Sequence, residues 1–534
     1  MLSIHAIVVL VSLLVYVTLT RIGHQRRTPS AAVAWVLMLL TFPYVGLPLF
    51  LIFGTRKLLR PGQAAPHRFE PAASPLNNLR EEGMVSIDPW VDELLASMGI
   101  SAPVSGGQAQ FQATGEHALR ALLGLIAGAR QSLRVATFLL GQDSQAERII
   151  SALCDASARG VNVRLLLDAM GCLRVTLRQY SQLTLAGIQV RRYMPLLHNP
   201  AHGRFNLRNH RKLMIVDDQT VWAGGRNLAG EYFMGLAEEP PWLDLSFSID
   251  GPLAGQAIEM FEKDWEAGQQ LPARYRRRIA RHRGAMLARM VEPMAGIADM
   301  PEQLIACMLE RNSGQAFPQP ASADDLSSIE DGCHHTAMQQ TPSRPDEPEC
   351  VQERLPALIT QLLPSGPNLF DDTLYALILT ATFHAERRLM AVTPYFVPDE
   401  ALMTALLMAA RRGVQISLLV PAKSNHLLAD VARMRALRQL AQIGARVYLY
   451  PTMVHAKVVI VDEAIALAGS LNLDSRSFFL NYEMMVAFYR KTEIDWLSRW
   501  LASHIERSNL YHFQPSTWYG DLLEGMVRTI AYQL

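Results

Sequence analysis

Residues 209–227 read NHRKLMIVDDQTVWAGGRN, and residues 454–472 read VHAKVVIVDEAIALAGSLN. Each stretch holds a His, a Lys two residues on and an Asp five beyond that: His210, Lys212 and Asp217, then His455, Lys457 and Asp462. Seven residues after each Asp stands a glycine, Gly224 or Gly469, and ten after it an Asn, Asn227 or Asn472. The apolar run between Lys and Asp, LMIV or VVIV, has the length of a buried strand. A His and a Lys two apart on such a strand share a face.

Outward from each motif the same order of elements recurs. Strands are predicted at 132–140, 160–168 and 186–194 with a helix over 146–159, and again at 387–396, 413–421 and 443–451 with a helix over 400–412. Gly160 matches Gly413, Gly187 matches Gly444 and His210 matches His455, at offsets of 253, 257 and 245 residues. An internal duplication accounts for all three. A strand following a helix in each copy is the βαβ pattern of a largely parallel, helix-covered sheet, so the fold class is α/β in two pseudo-symmetric halves.

Paired across a pseudo-two-fold axis, the copies would share one pocket holding two histidines, two lysines and two asparagines. Such a pocket suits a phosphodiester. One neutral imidazole can attack phosphorus, with His210 chosen as nucleophile, while the other gives a proton to the leaving alkoxide. Lys212, Lys457, Asn227 and Asn472 would hold the non-bridging oxygens with help from Ser470, and no cofactor or metal ion is expected. Each histidine needs a carboxylate to orient it. Asp244 and Glu483, 34 residues after His210 and 28 after His455, are the candidates. Asp217 and Asp462, counted with the catalytic motif, stand at strand ends and suit a structural role.

The rest of the chain sets bounds on the partners. Fifty basic against forty-nine acidic residues leave no general field for nucleic acid. A 50% hydrophobic content points to lipid instead. Residues 4–19 and 31–53 are apolar and long enough to predict a two-helix transmembrane hairpin; a cleaved signal peptide is the rival for the first, which lacks a basic leader. Arg21, Arg26 and Arg27 between the two stretches balance Arg56, Lys57 and Arg60 after them, so charge does not orient the hairpin. Five scattered cysteines favour a reducing compartment and hence a cytoplasmic catalytic region. Cys333-His334-His335 lacks the second ligand pair of a metal site. Residues 274–289, RYRRRIARHRGAMLAR, read either as a solvated basic helix or as a contact for anionic lipid headgroups. The expected divisions are a hairpin at 1–60, a connector at 61–110, a first half at 111–295, a linker at 296–352 rich in Ser, Pro and Gln, and a second half at 353–534.

The doubled motif resembles the signature of the phospholipase D superfamily from about residue 111 onward. Three features resemble bacterial cardiolipin synthases: the apolar hairpin ending in FGTRK, TPYFVPDEAL at 393–402, and HAKVVIVD followed by AGSLNLDSRSFFLNYE. The resemblance implies two sandwiched α/β halves of phospholipase D type with one shared site. It also implies transfer of a phosphatidyl group from one phosphatidylglycerol to another, giving cardiolipin and glycerol, in a bacterial inner membrane. Two departures stand out: GGRNLAGEYF lacks an acidic residue soon after its Asn, and Phe138 stands where family members tend to have Tyr. They bear on the substrate more than on the reaction class. A hydrolytic phospholipase, or a relative using another alcohol, remains the second reading; a nucleic-acid phosphodiesterase is the third, against which the hairpin argues.

Overall fold

The apolar run of each motif forms a four-residue strand, Leu213–Val216 in the first copy and Val458–Val461 in the second. Each turns at its Asp and returns antiparallel as Thr220–Gly224 or Ile465–Gly469. Asp217, Asp218 and Asp462 take φ values of 49°, 59° and 52° in these turns, a region that Asp tolerates better than most side chains. The computed structural model describes residues 4–22, 29–54, 87–194, 207–236, 239–270, 358–369 and 371–531. The basic stretch at 274–289, the linker at 296–352 and Cys333-His334-His335 lie outside them.

Around the motif hairpins stand two matching sheets. In the first, Gln269–Gln270, Gln189–Tyr193, Asn162–Asp168, Ser132–Thr137, Leu213–Val216, Thr220–Gly224, Ser246–Asp250 and Gln108–Gln112 lie side by side. The second repeats this order with Asn509–Leu510, Arg446–Tyr450, Gln415–Pro421, Arg388–Val392, Val458–Val461, Ile465–Gly469, Asn481–Phe488 and Ile359–Ser365. The duplication read from three offsets thus extends strand for strand. The sheets are mixed, which corrects the largely parallel arrangement expected: only the strands joined by crossover helices, three in each, run parallel. The other neighbours on these paths run antiparallel, both within the two motif hairpins and between strands distant in sequence.

Leu213 and Ile215 share one face of their strand and join Val458 and Ile460 in a single apolar core, together with the helices Leu253–Ala267 and Lys491–Ile505. Aromatic rings knit the halves, Phe247 and Phe111 standing 5.5 Å and 5.3 Å from Phe488 and Phe111 stacking on Trp496 at 4.3 Å. Before entering the first sheet at Gln108, the chain packs on the second half: Val91 and Leu95 of the helix Pro89–Ser97 enter its outer core, and Val104–Ser105 pairs with Ile359–Ser365.

At the N-terminus the structure has three helices, Ile4–Ile22, Pro29–Thr41 and Pro43–Phe53, with Tyr16, Leu39 and Phe50 buried between them. The second apolar stretch breaks at Phe42, because Pro43 disfavours helical backbone in the residue before it and lacks an amide donor. Among the described residues no helix is long and apolar enough to cross a membrane. The second of the two expected helices, over 31–53, is thus two helices meeting at Phe42.

Candidate active site

Leu213 pairs with Ala136 and Val216 with Leu133, so the motif strand runs antiparallel to Ser132–Thr137. Its first residue consequently lies at the carboxyl edge of the parallel strands, where open α/β sheets hold their ligands. Val458 facing Val392 and Val461 facing Leu389 repeat this in the second half. His210 and Lys212 stand just ahead of the strand rather than on it, as do His455 and Lys457. Both pairs therefore meet that edge.

The motif Asp residues end at the opposite edge. Asp217 accepts the backbone N–H groups of Arg130, Gln131 and Ser132 at 2.9, 2.7 and 2.9 Å. Asp462 likewise accepts those of Glu386, Arg387 and Arg388 at 2.8, 2.9 and 2.7 Å. Partial burial opposes ionisation of Asp217, yet these three amides hold its carboxyl below the usual range. The four-residue spacing in the motif is the strand that separates the two edges. Asp217 and Asp462, counted with the catalytic motif, thus stand at the edge away from the histidines, each anchoring the start of a neighbouring strand.

The orienting carboxylates cross between halves. Glu483 lies 3.0 Å from His210 Nδ1, and Asp244 Oδ2 lies 2.8 Å from His455 Nδ1. Two short backbone joints produce this exchange: Arg208–Asn209 pairs with Asn481 and Tyr482, while Leu243 bridges Val454 and its carbonyl accepts the His455 N–H at 2.7 Å. The distances read along the sequence, His210 to Asp244 and His455 to Glu483, join residues of the same copy. Pairing across the copies is a tertiary fact with no signature in spacing.

Burial pushes the His210 imidazole down to about 4 and the His455 imidazole down to about 3, with the nearby carboxylates opposing the shift. Both rings are neutral in the resting site. Asp244 is ionised: burial works against its charge, but His455, Lys457 and Arg226 hold it below the usual carboxylate range, and the Leu245 N–H donates to Oδ1 at 2.7 Å. His455 Nδ1–H then donates to Asp244, leaving Nε2 with its lone pair.

Lys212 Nζ donates to the His210 carbonyl at 2.7 Å and lies 5.6 Å from the centre of the Phe138 ring. Lys457 Nζ donates to the His455 carbonyl and sits 2.8 Å from Nδ1 of the same ring. Burial drives both ammonium groups down, Lys212 far and Lys457 to about 8. Asn227 and Asn472 are buried at matched positions, and each leaves its amide oxygen without a partner. A buried acceptor left so costs about 1–3 kcal/mol, which a hydroxyl donor of a ligand at this edge would relieve.

Ser470 points elsewhere than expected. Its hydroxyl donates to Glu483 Oε2 at 2.5 Å and accepts the Met484 N–H at 3.0 Å, which places it behind His210. At the matched position Gly225 lies so close to Asp244 that a Cβ would stand 2.1 Å from Oδ1. Sequence reasoning also missed the aromatic walls: Phe138 and Tyr232 each present a ring 4.9 Å from His210 and His455 respectively. Arg211 escaped notice as well. Its buried guanidinium clasps Asp264 at 2.7 Å and donates to the Glu483 and Ser365 carbonyls, both at 3.1 Å, tying the halves together beneath the site.

A family model described as "Cardiolipin synthase, PLD-like domain" matches residues 122–265 and 378–505, one span in each half. Another, "Phospholipase_D-nuclease N-terminal", matches residues 6–54. The chain is 26% identical over 499 residues to cardiolipin synthase A of Pseudomonas entomophila, covering 90% of this chain and 88% of that one. It is 27% identical over 475 residues to cardiolipin synthase A of Pectobacterium carotovorum, covering 87% and 84%. Among solved structures, phosphatidylserine synthase from Haemophilus influenzae shares the fold, with a TM-score of 0.54 at 15% identity over 81% of this chain and 95% of that one. With both halves matched, the chain belongs to the PLD-like cardiolipin synthase family and is a phosphatidyltransferase of the phospholipase D superfamily.

Proposed function

We propose that the protein is a cardiolipin synthase, transferring a phosphatidyl group from one phosphatidylglycerol to a second to give cardiolipin and glycerol. The observation that carries this is the crossed pair of histidines, each backed by the other copy's carboxylate and flanked by a buried lysine and an unsatisfied Asn. A phosphodiester adds one negative charge, which favours protonating one imidazole.

Asp244 commits Oδ2 to His455, whereas Glu483 divides its oxygens among His210, Ser470 and Asn481. In this reading His455, backed by Asp244, is the proton donor and His210 is the nucleophile. Its Nε2 forms a bond to phosphorus while the bond from phosphorus to the glycerol oxygen breaks, the oxygen leaving with the proton from His455. His455, neutral again, removes the proton from the hydroxyl of a second phosphatidylglycerol as that oxygen displaces His210. The lysines and the Asn amides hold the non-bridging oxygens through both steps.

Work in a bacterial inner membrane is part of the same reading. The N-terminal helices expose Ile4, Leu10, Leu14 and Phe42, as an element bathed in lipid would. The test is product analysis with phosphatidylglycerol as sole lipid, where cardiolipin and glycerol should appear in equal amounts. Phosphatidic acid as the main product would instead identify a hydrolase. His210→Ala and His455→Ala should each abolish turnover, and a trapped phosphopeptide should contain His210.

A further inference from the structure

We propose that the mouth of the site is itself a bilayer-docking surface, made by three loops of the catalytic body whose exposed aliphatic side chains enter the lipid around the substrate headgroup. This rests on the reading of the substrate as a membrane phospholipid. Two of the loops carry Met170 and Leu173, then Met234 and Leu236; the third opens into the helix Leu427–Gln442, whose first turn carries Leu427 and Leu428, and all six side chains are exposed, Leu427 at 73% and Leu173 at 57%.

Each loop is rooted on an aromatic residue at the catalytic edge. The first follows the strand Asn162–Asp168, and its Cys172 thiol donates to the carbonyl of Phe138, the ring beside His210, at 3.3 Å. In the second, Met234 is two residues beyond Tyr232, whose ring meets His455. The third follows Gln415–Pro421, where the Tyr395 hydroxyl donates to Asn425 at 2.5 Å and its ring meets His426. Tyr395 is in turn tied to the site through Thr393, whose hydroxyl donates to the Tyr395 carbonyl at 2.9 Å and accepts the N–H of Leu473, next to Asn472, at 3.2 Å.

Scattered exposed leucines are ordinary on a protein surface, but six aliphatic side chains on two loops and one helix start bordering one site are not. Arg174, Arg178 and Lys423 stand exposed beside the first and third loops, while the second carries acids, Glu231 and the exposed Glu239 among its described residues. An apolar tip with basic flanks is the signature of contact with an anionic interface. The occupant is therefore an anionic phospholipid bilayer. A substrate whose acyl chains stay in that bilayer need only raise its headgroup between the loops.

Two measurements on the full chain test this. In the first, Leu173→Asp, Met234→Asp and Leu427→Asp are combined. Activity on vesicles of long-chain phosphatidylglycerol should fall at least tenfold, while activity on a short-chain, monomeric phosphatidylglycerol stays within twofold of the parent. In the second, Leu427→Trp should add fluorescence that is quenched by vesicles of bromine-labelled anionic lipid, whereas Phe383→Trp, exposed at the end of a helix that leads into the opposite sheet edge, should not. Unchanged vesicle activity, or quenching at Phe383→Trp equal to that at Leu427→Trp, overturns the proposal. Since quenching needs no turnover, a protein that docks in this way but makes no cardiolipin would refute the proposed reaction and leave the docking surface standing.

Discussion

A methyl group at Gly225 would stand 2.1 Å from Asp244 Oδ1, and that carboxylate cannot retreat because Oδ2 holds His455 and Oδ1 accepts the Leu245 N–H. Gly225→Ala should therefore lower unfolding free energy by about 1–3 kcal/mol, seen in denaturant titration, and reduce turnover at least about a hundredfold through the displaced imidazole. Acid should act on the same residues. An unfolded imidazole takes up a proton near pH 6.5, whereas folded His210 and His455 do so only near 4 and 3. Between pH 6.5 and 4 the unfolded chain binds protons that the folded chain refuses, so stability falls with pH by about 1.4 kcal/mol per unit for each histidine. His455→Gln should remove one of these contributions. Activity should fall as pH rises through about 8, where the Lys457 ammonium gives up its proton, and that limb should vanish from the residual activity of Lys457→Arg. The His, Lys and Asn residues were legible in the sequence because duplication marks them twice. The bond from Ser470 to Glu483 was not legible, because that partner lies 13 residues on, across a fold of the sheet.

At the scale of elements, the motif strand sets its own boundaries: chemistry at one end, an anchoring Asp at the other. Asp217→Ala or Asp462→Ala strips three amides of their acceptor while leaving the histidines in place. Each variant should lose about 1–2 kcal/mol of stability, in the range of a lost helix cap, with turnover per folded molecule within twofold of the parent. A turnover collapse without loss of thermal stability would mean that Asp217 or Asp462 acts in the reaction. Strand positions were readable from their apolar runs, and the structure keeps most of them within two or three residues. Direction was not, since an apolar strand looks the same whether a hairpin or a crossover helix delivers it. The break at Phe42 was signalled by Pro43, but composition across 31–53 hid it in a uniformly apolar window.

Over the whole molecule, the halves are joined by a common core, by Arg211 and by two exchanged backbone joints. A protease site inserted within residues 311–350 should thus yield, after cutting, two fragments that co-elute and retain most of the activity. Fragments that separate would show the covalent link to be required. Existence of two halves was plain from the offsets, whereas their crossed wiring needed the folded chain.

That wiring bears on how the enzyme is made. His210 waits for a carboxylate placed 273 residues later in the chain. Since translation delivers the N-terminal half first, a nascent polypeptide would, on the proposed mechanism, carry His210 for about half of synthesis without the group that aims it. On that mechanism reactivity toward phospholipid would begin only when the second copy has emerged and docked, and the duplicated architecture would work as a completeness check: a ribosome that stalls early would leave behind an inert fragment rather than an unregulated phospholipase.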